Sequence, residues 1–133
     1  MRDSCQTYSS QLIDLLLTAL GYGLKEVSGS QINYVTLEGH GREERLEAQN
    51  YEKLLQLDKT MGWFTSMYPI EIRTCSHLED SISAVKSHLK EIPNKGIGYG
   101  ATFGYHEPLA SVSFNYLGQF EESDNNEESA FWD

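Results

Sequence analysis

Cysteine is nearly absent from this chain: Cys5 and Cys75 are the two among 133 residues. They form no Cys-x-x-Cys pair and no metal-ligand spacing, which excludes a disulfide scaffold and a thiolate metal site and leaves a cytoplasmic protein with free thiols as the expectation. Basic residues are scarce too, 10 against 20 acids for a net charge of −10, so the electrostatic footprint of a nucleic-acid binder is missing. No long hydrophobic run exists. The most apolar stretch, Leu12–Leu20, is interrupted by Asp14, is too short to span a bilayer, and does not read as a signal peptide. A Gly-x-Ser-x-Gly elbow is lacking, so a serine hydrolase has no support. The four histidines are His40, His77, His88 and His106, and none is adjacent to another. His77 and His88 would stand three helical turns apart, roughly 16 Å, too far to share a metal.

What is present fits one domain or less, with an apolar fraction of 39% for a modest core. The acids are uneven. Glu121, Glu122, Asp124, Glu127, Glu128 and Asp133 crowd the end of the chain without a base. Residues 1–120 are therefore expected to be the folded part and 121–133 an acidic, disordered tail. Phe131-Trp132 would be the anchor if that tail bound a partner.

Spacing predicts the elements. Ser9 or Ser10 can cap a helix to about Val27, with Ile13, Leu16, Leu17, Leu20, Leu24 and Val27 on one face. Ile32–Leu37 reads as a buried strand, residues 43–57 as a short helix or long loop, and Trp63–Ile72 as a second strand with Pro69 at an edge or bend. Ser76-His77-Leu78-Glu79 fits a capping box opening a helix whose stripe is Leu78, Ile82, Val85, Leu89 and Ile92, and Pro93 stops it. Gly96-Ile97-Gly98-Tyr99-Gly100 follows a helix, not a strand, so it reads as a tight turn and not a nucleotide loop. Strands are predicted near Tyr99–Tyr105 and through Val112, Phe114 and Tyr116. Two amphipathic helices with several strands define a layered α/β sandwich.

Glu38-Gly39-His40-Gly41-Arg42-Glu43 is the most informative stretch. A strand delivers a carboxylate to its end, and two glycines turn the backbone around a histidine. Such a carboxylate is fixed by the sheet and can still face a cavity, a suitable place for an acid or base. A solvated strand-end carboxylate is the plainer alternative. His40 either packs in the turn or contacts substrate. Arg42 orients a neighbour (Glu38, Glu43, or an acid elsewhere) or makes only a solvated pair with Glu43 or Glu44. Asn115 and Tyr116 offer an amide and a phenol, but as strand neighbours they point to opposite faces. Trp63 and Phe64 read as core rather than as a substrate wall.

Four further blocks stand in order with this one: Asp14–Gly21, Lys59–Pro69, Pro93–Gly100 and Phe114–Phe120. Together the five closely resemble the later motifs of epimerization domains of non-ribosomal peptide synthetases, over roughly residues 7 to 121. The resemblance implies one lobe, the C-terminal one, of a chloramphenicol-acetyltransferase-like fold, in which two lobes enclose a tunnel. It implies Cα inversion of an aminoacyl or peptidyl thioester held on a carrier protein's phosphopantetheine arm, with no cofactor or metal of the domain's own. Glu38 becomes one acid–base group, with Asn115, Tyr116 and His40 as contacts and Arg42 as orienting residue. The other group would be a histidine of a His-His-x-x-x-Asp-Gly segment, absent here, in an N-terminal lobe. The expected partners are thus a carrier protein and that lobe, and the chain alone is expected to be inactive. A non-catalytic remnant or partner-binding fragment, and a lobe of an acyl-transferring condensation domain, are the alternatives. The chain departs from the pattern at Lys59, where arginine is usual, at Met61, where valine is usual, and in a long charged spacer from Glu44 to Asp58.

Overall fold

The computed structural model describes residues 8, 10–42, 60–104 and 109–116. The expectations for 43–57, for Cys5 and for the tail 121–133 lie outside the described residues. In chain order the elements are α1 (Leu12–Ser28), β1 (Ile32–Gly39), β2 (Ser66–Arg73), α2 (Leu78–Glu91), a one-turn 3-10 segment (Pro93–Gly96), α3 (Tyr99–Phe103) and β3 (Ser113–Asn115). β1 is central: it pairs antiparallel with β2 and parallel with β3.

β2 alternates in burial, β1 buries Val35, Thr36 and Leu37 in succession, and register decides what each face carries. Val35 pairs with Ile70, Leu37 with Tyr68 and also with Phe114. These side chains share one face and join Leu17 of α1 and Val85 of α2 in the core, with Ile13, Leu20, Leu24, Leu89 and Ile92 packed around them. Tyr34, Thr36 and Glu38 belong to the other face, opposite Glu71, Pro69 and Met67. The protein is thus a layered α/β structure with its helices on one side of the sheet. Close approach is built in: a Cβ on Gly21 of α1 would lie 2.5 Å from Ile72 Cγ2.

Several ends differ from expectation. Ser9 lies outside the described residues, and Ser10 is not the helix cap. Gln11 takes that position, and the carboxylate of Asp14 reaches back to accept from its N–H at 2.8 Å. The acid that interrupts the apolar run therefore secures the start of α1. Val27 is 88% exposed in the last turn, and Gly29, at φ 71, caps the helix after Ser28. At α2, Ser76-x-x-Glu79 does not close a box, and His77 is the cap residue. The buried Ser81 does the tying instead: its Oγ accepts from Cys75 N–H at 2.8 Å and donates to the His77 carbonyl at 3.1 Å. Leu78 is exposed, so the α2 stripe begins at Ile82.

The second strand starts at Ser66, and Trp63 is 91% exposed, which removes it from the core. The strand expected at Tyr99–Tyr105 is a helix at Tyr99–Phe103. The following strand is confined to Ser113–Asn115, the three residues that pair with β1. Among the described residues no helix is long and apolar enough to cross a membrane.

Candidate functional site

Glu38 stands near the C-terminal end of β1, directly opposite Asn115 in the parallel pairing, while Thr36 stands opposite Ser113. Period-two alternation puts Thr36, Glu38, Ser113 and Asn115 on the face away from the helices. The consequence is a two-point clamp. Ser113 Oγ donates to Glu38 Oε1 at 2.8 Å, and Asn115 Nδ2 donates to Oε2 at 3.1 Å. Beneath it, Thr36 N–H donates to the Val112 carbonyl at 2.8 Å and Thr36 Oγ1 to the Ala110 carbonyl at 3.0 Å, which sets the β3 register. The carboxylate is held on both oxygens, yet Glu38 remains half-buried and accessible.

The residues after Glu38 build a separate device. Arg42 N–H donates to His40 Nδ1 at 3.0 Å, so the imidazole closes the turn. Gly41 has φ 66, and a Cβ there would fall 1.6 Å from the Phe64 carbonyl oxygen, so no other residue fits. The Arg42 guanidinium lies 4.4 Å from the Phe64 ring centroid and donates to the carbonyls of Thr60 at 2.8 Å and Gly62 at 3.3 Å. It orders the segment leading into β2. Glu38's oxygens are meanwhile engaged by β3.

Asn115 therefore joins Glu38 directly, whereas Tyr116 lies one residue past β3 and is half-buried. His40 and Arg42 sit at the same end of β1 as Glu38. Ser113, and the Phe64 ring beneath Arg42, are the partners that sequence reasoning missed. The signal for Ser113 was its two-residue spacing from Asn115, which places both on one strand face. Among the described residues no group of three or more His, Cys, Asp or Glu side chains is arranged to hold a metal. A shallow cleft of about 570 Å³, between Gly29–Ile32 and Arg73–Ser76, opens at the opposite end of β1, away from Glu38.

The chain belongs to the condensation-domain family, whose model matches residues 1–132. Its relatives are peptide synthetases. It is 39% identical over 125 residues to N-(5-amino-5-carboxypentanoyl)-L-cysteinyl-D-valine synthase of Amycolatopsis lactamdurans, covering 93% of this chain and 3% of that protein. It is 41% identical over 128 residues to gramicidin S synthase 1 of Brevibacillus brevis, covering 87% of this chain and 11% of the relative. Among solved structures it is similar to the epimerization domain from the third module of tyrocidine synthetase B, with a TM-score of 0.70 and 35% identity over 87% of this chain and 27% of that one. The chain thus spans a small part of each relative it matches.

Proposed function

We propose that this chain forms the C-terminal lobe of an epimerization domain and supplies Glu38 as one of two acid–base groups that invert an amino acid at Cα. The observation that carries this reading is the Glu38 carboxylate, held by Ser113 and Asn115 at an accessible strand end. The likeness to a solved epimerization domain at 35% identity supports it. The substrate would be an aminoacyl or peptidyl thioester presented on a carrier protein's phosphopantetheine arm.

The thioester carbonyl makes the Cα proton acidic. One group takes that proton as the electron pair delocalises into the enolate, and a second group returns a proton to the opposite face. Glu38 serves one face. A histidine of the companion lobe serves the other. Since inversion needs both, residues 1–133 alone are expected to invert no Cα centre. The second reading, an acyl-transferring condensation lobe, is favoured by the condensation-domain match over residues 1–132.

The test is inversion at Cα of a carrier-bound aminoacyl thioester, read as its D/L ratio after hydrolysis. It uses a domain in which this chain stands beside its histidine-bearing lobe. Glu38→Gln keeps the shape of the side chain and removes the base. Inversion is expected to fall by about 10²- to 10⁴-fold, the range for a positioned acid–base group. Undiminished inversion in Glu38→Gln would overturn the assignment. Peptide-bond formation without any inversion in the parent domain would favour condensation.

A further inference from the structure

We propose that Ser113 is a positioning residue for the reaction, holding the Glu38 carboxylate at the angle from which it reaches the substrate's Cα proton. This rests on the reading of Glu38 as an acid–base group. It adds a residue from β3 to a site that the Glu38–Arg42 turn alone does not complete.

The geometry is specific. Glu38 has two carboxylate oxygens and free rotation about its last bond unless both are engaged. Asn115 Nδ2 engages Oε2 at 3.1 Å, which leaves the carboxylate able to pivot about that contact. Ser113 Oγ, at 2.8 Å from Oε1, is the shorter bond and stops the pivot. A carboxylate oxygen has two lone pairs, so each oxygen keeps one for a proton after its bond is made. The clamp therefore fixes direction without consuming the base. The two donors reach the carboxylate because β3 runs parallel to β1, with Ser113 opposite Thr36 and Asn115 opposite Glu38. Ser113 is itself exposed and contributes nothing to the helix-side core, so its hydroxyl has no packing role to explain it.

Orientation of a reacting group is worth rate rather than binding. The two-lobe domain is assayed with Ser113→Thr and Ser113→Val, which are nearly isosteric, both suited to a strand, and differ in the hydroxyl. Ser113→Thr is expected to retain Cα inversion within about threefold, and Ser113→Val to lose about tenfold in its kcat with KM unchanged, the scale of one hydrogen bond to a charged group. Equal rates for Thr and Val would overturn the proposal, as would a loss in Val appearing wholly in KM. Glu38→Gln in the same assay separates the two ideas. If Glu38→Gln fails to invert Cα and Ser113→Val is as fast as Ser113→Thr, only the role of Ser113 fails. If Glu38→Gln inverts Cα normally, the acid–base reading fails, and Ser113 with it.

Discussion

Gly96 lies flat against the ring of Tyr68: a Cβ at Gly96 would stand 2.0 Å from Tyr68 Cδ1. The preceding residues, Asn94 at φ 47 and Lys95 at φ 49, already run left-handed, and Gly96 follows at φ 77. This turn returns the chain from α2 onto β2, and only a glycine lets the backbone come that near. Gly96→Ala should cost about 2–4 kcal/mol, combining about 1 for the left-handed backbone with about 1–3 for overpacking. Gly98 is the matched control, with φ −79 and open space around it. Gly98→Ala should be neutral or stabilise by up to about 1 kcal/mol. Urea melts of the two variants check this, and equal stabilities would refute it.

Arg42 links the end of β1 to residues 60–64 through a fork and a ring. A lysine keeps the charge and loses the fork. Arg42→Lys and Arg42→Ala should therefore behave alike, each losing about 1–2 kcal/mol. Hydrogen exchange should report faster amide exchange around Phe64. A Lys variant as stable as the parent would show that charge alone matters there.

Among the described residues β2 is an edge strand, and His88 faces its outer side. Its Nε2 accepts from the Glu71 N–H at 3.3 Å, on the side of β2 away from β1, and Pro69 on the same edge carries no N–H. Side chain and proline together blunt a strand that could otherwise pair with another molecule. His88→Leu should cost about 1 kcal/mol and raise the tendency to associate, whereas His88→Gln, which offers a carbonyl acceptor, should recover part of the loss. Light scattering during a slow thermal ramp distinguishes them. Identical association of Leu and Gln variants would count against the edge role.

The elements with one strong period were legible. In α1 the spacing of Ile13, Leu17, Leu20 and Leu24 is unambiguous, and β1 carries Val35 and Leu37 between polar neighbours. The strand expected near Tyr99–Tyr105 follows a glycine-rich turn, and Tyr99 and Phe103, at even spacing, fit a pleat. They also fit i and i+4 on a helix, and their ring centroids lie 5.1 Å apart in that form. Nothing local breaks the tie. Trp63 was assigned inward on hydrophobicity alone, a rule that runs only one way. The position of Glu38 could be read from its turn. Its clamp could not, because Ser113 is 75 residues away in sequence and only the parallel pairing brings it near.

That separation sets an order of events. Val35 and Leu37 can meet Ile70 and Tyr68 once β2 exists, whereas the Glu38 carboxylate has neither of its hydrogen-bond donors until β3 docks. During synthesis Glu38 leaves the ribosome long before Asn115, so most of the helix-side core can form before that carboxylate is clamped, with Phe114 added as β3 docks. A nick or insertion between α3 and β3 would therefore strip the clamp while sparing most of the core.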